Sequence, residues 1–396
     1  MGFGSRHVGR RELLLAVAGA AVAATLPAGP ASAGASQPWL GQLPADTALD
    51  WTSTAYDLVL GENLTPPAAA RTYAYAAIAM YESVVAGMPA HRSLAGQLRG
   101  LDRLPPALHL GQIDWPTALT TAVAAVLREV LPFAAPTTRP RLDGAERDAV
   151  LARRNAGVSD RSIAASVAHG GAVAAALVRW SRSDGHADTL GRAYVPPTGR
   201  PELWESTPPN YRPAIEPYWS EVRPMALRRA DEVEPAPPVP FSTEAGSPFH
   251  QQALAPYEQF SRNTDEHRAI ARFWTDNPGS FSAPFGTPTG LPSGHWMQIA
   301  AQGIALRGVR LDGAVETLAM TGIALHDAFL NCWTWKYRYN LLRPVTYIQR
   351  YVDPTWLPFV NSPQFPEHTS GHSVASPAAA AVLTAQLGTF AFTDHS

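Results

Sequence analysis

Apolar and small residues recur along this chain at intervals of three and four positions, the spacing that collects them on one face of an α-helix. Few stretches show the alternation of apolar and polar residues, rich in Val, Ile and Thr, that half-buried strands need. Prolines and capping residues bound the clearest helical runs, which extend from Pro66 to Gly87, from about Asp114 to Leu131, from Arg139 to Asn155 and from Ser159 to Trp180. The pattern predicts an all-α protein made of helical bundles.

A proline-rich connection interrupts the helical pattern. Between Pro196 and Pro248, 13 of 53 positions are proline, so neither a helix nor a central strand can persist there. Aromatic residues predict that this segment packs across a surface, because disordered linkers are poor in them; they are Tyr194, Trp204, Tyr211, Tyr218 and Trp219. We therefore divide the chain into a helical half at residues 34–195, the connection at 196–248 and a second helical half at 249–396.

The first 33 residues, 1–33, have the layout of an export signal. Arg10 and Arg11 precede an apolar run of 14 residues from Leu13 to Leu26, and small residues follow at Ala31-Ser32-Ala33. Paired arginines before such a run resemble a bacterial twin-arginine signal. The run is shorter than the roughly 20 residues of a membrane-spanning helix. We therefore expect cleavage near Ala33 and an exported, extracellular protein without a stable membrane span.

Composition narrows the classes of function. Lys plus Arg number 31 and Asp plus Glu number 33, which leaves a net charge of −2 and no polycationic character for binding nucleic acid. Cys332 is the single cysteine, so the chain has no internal disulfide, no CxxC redox pair and no cysteine zinc cage. Hydrophobic residues make up 46% of the chain, which is enough for a sizeable packed core.

One helix in the second half carries two cations on its apolar face. We expect Asp312 to cap it, and apolar or small residues follow at helical spacing, at Val315, Leu318, Gly322, Leu325, Phe329 and Cys332. Lys336 continues this face, and Arg343 returns to it about two turns later. Pro344 disfavours helical geometry at Arg343, so the helix should end near Asn340. In the alternative interpretation, both cations extend from the end of an amphipathic helix into water.

A second element can place hydrogen-bond donors beside these cations. Ser370-Gly371-His372 stands before a helical run from Ser373 to Leu387, so Ser370 and Gly371 lie at a helix N-terminus, where unpaired amides attract oxyanions. Gly371 lets the backbone approach a ligand closely, and His372 can exchange a proton near neutral pH. Taken alone, the tripeptide equally fits an ordinary capped helix with a packed histidine.

The order of these residues resembles a known superfamily. Lys336, six residues and Arg343-Pro344, followed by Ser370-Gly371-His372, are similar to the first two motifs of the vanadium-dependent haloperoxidases and type 2 phosphatidic acid phosphatases (PAP2). The segment from His326 to Thr346 is more similar to the bacterial haloperoxidase branch. The resemblance covers about Leu311 to Ser376, and it implies the helical bundles of that superfamily.

The resemblance also implies roles for the individual residues. Lys336 and Arg343 would neutralise the equatorial oxygens of a bound vanadate or phosphate. The Ser370 hydroxyl and the Gly371 amide would donate hydrogen bonds to it, and His372 would be the catalytic acid–base residue. Vanadate is the implied cofactor, with hydrogen peroxide and halide as substrates, or a phosphate ester in the phosphatase branch. Helical relatives often associate through their bundles, so the resemblance is also consistent with a homodimer.

Two other stretches imitate the family motifs. Pro292-Ser293-Gly294-His295 matches the second motif but lies upstream of Lys336, so we interpret Ser293 as the N-cap of a helix and His295 as structural. Ser261-Arg262 with His267 approximates the third motif, also out of order, and we interpret it as a solvated helical face.

The loop before Ser370 offers one more candidate residue. His368 and His372 stand four residues apart, as two metal ligands on a helix would, but Pro366 places His368 in a loop. We therefore expect no zinc site and expect His368 to line the pocket. Glu367, in the same loop, could equally be a residue that faces the solvent.

The third motif of the superfamily is missing from this sequence. It supplies an arginine and, after five intervening residues, the histidine that ligates vanadium or attacks phosphorus. The sequence ends at Ser396, and Thr389 stands where an arginine would have to precede His395. We therefore interpret the chain as a C-terminally truncated haloperoxidase-like protein with little or no turnover. The alternatives are a PAP2-type acid phosphatase and a non-catalytic relative that binds an oxyanion.

Overall fold

A computed structural model describes residues 40–276 and 291–395, and the predicted export signal lies outside them. These residues contain no strand, and their two β-bridges are isolated pairs. The all-α prediction is therefore confirmed for the described part of the chain. Its helices are α1 (Asp46–Glu62), α2 (Pro66–Val84), α3 (Trp115–Val130), α4 (Thr138–Asn155), α5 (Asp160–Arg182), α6 (His186–Thr189), α7 (Pro248–Phe260), α8 (Asp265–Trp274), α9 (Pro292–Leu306), α10 (Leu311–Tyr339), α11 (Pro344–Tyr351) and α12 (Gly371–Leu387).

Local sequence explains where several of these helices begin. The side chain of Thr65 accepts a hydrogen bond from the backbone N–H of Ala68 and caps α2, whose first turn contains prolines. Asp114 caps α3 and Ser159 caps α5 in the same way. Each cap supplies an acceptor for a first-turn amide that has no partner within the helix. The observed bounds therefore follow the predicted ones closely.

Helices α2 and α10 lie at the centre of the fold. Nearly every side chain of α2 is buried, and α10 packs against α2, α9 and α12. Gly322 of α10 permits a close approach, because a Cβ there would lie 3.0 Å from the Cα atom of Ala74 on α2. One continuous apolar core joins helices from both sides of the proline-rich connection.

The proline-rich connection lies against these helices. Trp204 and Trp219 are buried, as predicted. The carboxylate of Asp327 on α10 fixes the connection by accepting hydrogen bonds from three consecutive backbone N–H groups, those of Met225, Ala226 and Leu227, at 2.7–2.8 Å. The expectation that Tyr211 packs is wrong, because this residue follows a surface turn at 208–210 and is 62% exposed.

The N-terminus of α10 differs from the prediction. The helix begins at Leu311 with Arg310 in the N-cap position, so Asp312 is not the cap. The Asp312 side chain instead accepts a hydrogen bond from the backbone N–H of Gly313 inside the first turn. A carboxylate is still favourable there, because it lies near the positive end of the helix dipole.

Helix α10 ends where the sequence predicted. The helix stops at Tyr339, and Asn340 adopts a left-handed conformation with φ 46° and ψ 44°. Arg343 is extended, with φ −81° and ψ 151°, as expected for a residue before proline. Pro344 then occupies the first turn of α11, so a short linker between two helices positions Arg343 beside the end of α10.

Helix α5 is long and apolar. The stretch Asp160–Thr189, which includes it, has a mean hydropathy of 1.3 over 18 residues and passes a composition test for a membrane span. Its apolar side packs on α3, where a Cβ at Gly170 would lie 2.3 Å from the carbonyl oxygen of Ala118. Core helices of globular proteins pass the same composition test, so one such stretch is weak evidence for a span.

Candidate functional site

A cavity of about 180 Å³ lies between the C-terminal end of α10 and the N-terminus of α12. The structure brings five predicted site residues to its wall, namely Lys336, Arg343, Ser370, Gly371 and His372. The other described residues that line it are Pro66, Pro292, Phe329, Trp333, Pro363, Phe365 and Glu367. Two stretches that are distant in sequence therefore contribute cations and a helix N-terminus to one cavity.

Lys336 is the only lysine of the chain, and it is 1% exposed. Its Nζ donates hydrogen bonds to the backbone carbonyl oxygens of Pro366 at 2.8 Å and Glu367 at 3.0 Å. Burial, together with the charge of Arg343, lowers the pKa of Lys336 from 10.5 to about 8. An ammonium group has three hydrogens, so one remains for a ligand. The alternative in which Lys336 extends into water is wrong.

Arg343 is held in place by the loop that precedes α12. Its Nε donates to the carbonyl oxygen of Phe365 at 2.7 Å, and its Nη1 donates to Oε2 of Glu367 at 2.6 Å. The guanidinium carbon lies 4.7 Å from the centre of the Phe365 ring. Nη2 is buried and has no hydrogen-bond partner in the described part of the chain. The guanidinium therefore presents an unpaired donor with fixed geometry.

The sequence left open that Glu367 faces solvent, and the structure places it at the wall of the cavity. Its side chain is 39% exposed, yet it lines the cavity and pairs with Arg343. Burial alone would raise the pKa of Glu367, but the positive charges of Arg343 and Lys336 outweigh burial and hold this pKa below 4.5. The carboxylate is therefore ionised at neutral pH. No periodic pattern could place it, because residues 352–370 form neither helix nor strand.

Ser370 and Gly371 form the N-terminus of α12. The Oγ of Ser370 accepts a hydrogen bond from the backbone N–H of Ser373 at 3.3 Å, so the hydroxyl hydrogen remains available to a ligand. Gly371 is the first residue of the helix, and its amide has no partner within the helix. A Cβ at Gly371 would meet Phe329 and Trp333 at ordinary contact distances of 3.6 and 3.7 Å. The fold alone therefore does not require glycine here.

His372 presents an unpaired nitrogen in the same region. Its Nε2 is buried and has no hydrogen-bond partner among the described residues. Burial lowers the pKa of His372 below 6.5, and the charge of Lys336 acts in the same direction, whereas Asp276 and a hydrogen bond to the Trp274 backbone oppose it. The imidazole is therefore neutral at neutral pH and can accept a proton from a ligand in the cavity.

His368 does not line the cavity, so the expectation that it does is wrong. Its Nε2 lies 3.0 Å from the carbonyl oxygen of Ala236 in the proline-rich connection. Its ring contacts the edge of Tyr339, with ring centres 5.3 Å apart. These contacts hold the imidazole on the outer side of the loop, toward the connection.

The upstream copy of the second motif forms a separate buried cluster. Leu291, rather than Ser293, is the N-cap of α9, and the Ser293 hydroxyl is buried without a described partner. His295 lies between two carboxylates, with Nδ1 2.7 Å from Asp276 and Nε2 2.7 Å from Asp394. Burial alone would lower the pKa of His295, but the two aspartates raise it to about 9. The prediction of Ser293 as an N-cap is wrong. His295 is protonated at neutral pH and pairs with Asp276 and Asp394, which lie far apart in the sequence.

The approximate third motif lies on the protein surface. Arg262 lies 3.4 Å from Glu258, one turn earlier in α7. His267 forms a capping box with Thr264 at the start of α8. These residues are exposed and are not among the described residues that line the cavity, in agreement with a solvated helical face.

Comparison with known proteins agrees with this geometry. The profile of the VCPO second helical-bundle domain matches residues 316–395, which include the five predicted cavity residues. The crystal structure of the first bacterial vanadium-dependent iodoperoxidase is similar with a TM-score of 0.80 and 30% sequence identity, over 90% of this chain and 84% of that chain. The chain belongs to the vanadium-dependent haloperoxidase family.

Two structures of bacterial vanadium-dependent chloroperoxidase share the fold with this chain. The holo-type structure has a TM-score of 0.57 and 14% identity, over 87% of this chain and 81% of that one. The apo-type structure has a TM-score of 0.55 and 13% identity, over 78% and 75%. No curated protein matches the sequence significantly.

The cavity of this family member is suited to an oxyanion such as vanadate. Buried nitrogen atoms normally have a hydrogen-bond partner, yet Arg343 Nη2 and His372 Nε2 have none in the described part of the chain. The Nη2 of Arg343 therefore favours a ligand with acceptor oxygens, and Nε2 of the neutral His372 imidazole can accept a hydrogen bond from an O–H group of that ligand. The described residues hold no group of three His, Cys, Asp or Glu side chains suited to a bare metal cation. The residues present therefore fit a metal bound as its oxyanion.

Proposed function

We propose that this chain is an exported, vanadium-dependent haloperoxidase-like protein that binds vanadate in the cavity between α10 and α12. One observation carries the proposal, namely the convergence of Lys336, Arg343 and the α12 N-terminus on a single cavity with unpaired, buried donors. When bound, vanadate would supply the Lewis-acid activation of hydrogen peroxide that amino-acid side chains lack.

The two cations hold the anion in place. Lys336 is fixed by two backbone carbonyl groups, and Arg343 is fixed by the Phe365 carbonyl and by Glu367. Neither side chain has to reorganise when an anion enters, and both act where solvent screens charge less than at the surface. The Ser370 hydroxyl and the amide of Gly371 add donors from a third direction.

His372 is the residue that exchanges a proton with the bound oxyanion. In the empty cavity its imidazole is neutral, because burial lowers its pKa. The negative charge of a bound oxyanion favours the protonated form, so Nε2 can take a proton from the ligand and return it later. We expect the acid–base role to depend on Nε2, the nitrogen that has no partner in the described structure.

Binding and turnover are separate parts of the proposal. His372 is the only histidine among the described residues that line the cavity, whereas the family resemblance assigns metal ligation to a second histidine. We therefore expect residues 34–396 to bind vanadate but to oxidise halide slowly or not at all. Robust halide oxidation by this protein with vanadate and peroxide would contradict the second expectation.

Iodide is the halide to test first, because the similar structure at 30% identity is that of an iodoperoxidase. Formation of triiodide from iodide and peroxide gives a direct absorbance readout. Hydrolysis of a phosphate ester, measured in parallel without vanadate, tests the phosphatase alternative. Ester hydrolysis in the absence of any halide oxidation would favour that alternative.

Calorimetric titration with vanadate tests the site itself. Arg343→Met removes the guanidinium, and we expect the affinity to fall at least about tenfold, since a hydrogen bond to a charged group contributes about 1.5–3 kcal/mol. Arg350→Met is the matched control, because Arg350 lies on α11, the helix that follows Arg343, but pairs with Glu205 and the carbonyl of Pro201. Equal affinity in the wild type and both variants would refute the proposal.

The proposal that the protein is exported rests on the sequence of residues 1–33. Expression in a bacterium with a twin-arginine pathway should give a secreted protein whose N-terminus, read by mass spectrometry, lies near Gly34. Replacing Arg10 and Arg11 with lysine should keep the protein in the cytoplasm. Secretion that is unaffected by this double change would contradict the assignment of the signal.

A further inference from the structure

Glu367 brings a fixed negative charge to a site that otherwise attracts anions. Its Oε2 accepts the hydrogen bond from Arg343 at 2.6 Å, while its Oε1 has no hydrogen-bond partner among the described residues. The backbone of Glu367 is also held, because its N–H donates to the carbonyl of Leu341 and its own carbonyl accepts from Lys336. A ligand in the cavity therefore meets a positioned carboxylate oxygen as well as donors.

The ionised groups among the described residues that line the cavity leave a single net positive charge. Lys336 and Arg343 are cations, Glu367 is an anion, and His372 is neutral at neutral pH. A singly charged anion balances this arrangement. A doubly charged anion would leave uncompensated negative charge in a partly buried site, which is unfavourable.

Tetrahedral oxyanions of similar size differ in whether they carry a proton. At neutral pH vanadate and phosphate retain at least one O–H group, whereas sulfate and molybdate have none. An ionised carboxylate can only accept hydrogen bonds. It is therefore attracted to an oxyanion O–H group and repelled by a bare oxygen with negative charge.

We infer that Glu367 makes this cavity selective for oxyanions that carry a proton, by accepting a hydrogen bond from the O–H group of the anion at Oε1. The inference rests on the proposed function, because it requires the cavity to hold an oxyanion. Sites that pair with a ligand O–H group strongly reject analogues that lack it, since the polar group of the protein is then left unpaired. Glu367 thus determines specificity through direct contact with the ligand.

Titration with four anions at neutral pH tests this role. We expect the wild-type protein to bind phosphate and vanadate at least about tenfold more tightly than sulfate and molybdate. Glu367→Gln replaces the carboxylate with a neutral group that can also donate. Sulfate and molybdate should then bind more tightly, and the selectivity ratio should fall about tenfold or more. Glu205→Gln, the matched control, removes a glutamate that pairs with Arg350 at the surface, and it should keep the wild-type ratio.

The outcomes separate this inference from the proposed function. If the wild type binds sulfate as tightly as phosphate, the inference is wrong, and this result needs no variant to fold. If Glu367→Gln weakens all four anions equally, Glu367 only orients Arg343, and the inference is again wrong while the oxyanion site stands. If no oxyanion binds to the wild type, the proposed function fails and the inference fails with it.

Discussion

The protonation of His295 should make the stability of the protein depend on pH. His295 is 5% exposed, and when it is protonated its two ring N–H groups donate to Asp276 and Asp394, each at 2.7 Å. Burial alone would lower its pKa, but the two aspartates raise the pKa from 6.5 to about 9. Between these two values the folded protein holds a proton that the unfolded chain releases.

The contribution of His295 to the free energy of unfolding follows from its pKa values in the folded and unfolded protein. Each unit of difference between the folded and unfolded pKa corresponds to about 1.4 kcal/mol. The rise from 6.5 to about 9 therefore gives a maximum of about 3 kcal/mol of stability. Because the folded pKa of His295 is the higher one, this contribution is complete below pH 6.5 and is lost as the pH rises through about 9.

Equilibrium unfolding in urea can isolate this contribution. His295→Gln removes the titrating ring, and its loss of packing and hydrogen bonds applies at every pH. We expect the stability advantage of the wild type over this variant to shrink by about 2–3 kcal/mol between about pH 7 and about pH 9.5. Other titrating groups are common to both proteins and cancel in the comparison.

His169→Gln is the matched control for this experiment. His169 is also buried, but it bonds to the carbonyl of Ser83, and burial lowers its pKa, so it is neutral over this pH range. Its contribution should therefore be the same at both pH values. If the difference in the free energy of unfolding between the wild type and His295→Gln stays constant from about pH 7 to about pH 9.5, the reasoning about the two aspartates is refuted.

Three further predictions concern the packing, the connection and the single lysine. Gly170→Ala should lower the free energy of unfolding by about 1–3 kcal/mol in urea, because the new Cβ would lie 2.3 Å from a backbone oxygen of α3. Gly171→Ala, whose Cβ meets nothing within 4 Å, should instead leave the protein as stable or slightly more stable. Asp327→Asn should lower the free energy of unfolding by at least about 2 kcal/mol, because three backbone N–H groups lose a charged acceptor. Asp353→Asn, in a local turn, should have a clearly smaller effect. An acylating reagent should modify Lys336, which is the only side-chain amine of the chain. Because Lys336 lines the cavity, bound vanadate should slow this modification, as followed by mass spectrometry over time. An unchanged rate of modification would mean that the anion binds elsewhere.

The helices and the meeting of the two motifs were predictable because local rules govern them. The three- and four-residue spacing that ends at Lys336 places this side chain on the buried face of α10. Pro344 sets the extended backbone of Arg343, and Ser370 caps α12. Each of these features depends on neighbours within a few residues, so the sequence alone contains the information.

The features that were missed depend on the path of irregular segments. Glu367 reaches the cavity because Lys336 and Arg343 bind the backbone of the loop around it, and no spacing rule describes that path. His368 turns to the proline-rich connection for a similar reason. The aspartate partners of His295 lie 19 and 99 residues away, and only the packed tertiary structure brings them together.

The placement of Lys336 has a consequence for a protein that would generate an oxidant. Hypohalous acids halogenate primary amines and oxidise thiols readily, whereas arginine presents a guanidinium that stays protonated in proteins. The one lysine is 1% exposed and the one cysteine is fully buried. Any form of this protein that does oxidise halide would therefore offer the product no lysine amine and no thiol on its outer surface, and it should resist damage from that product.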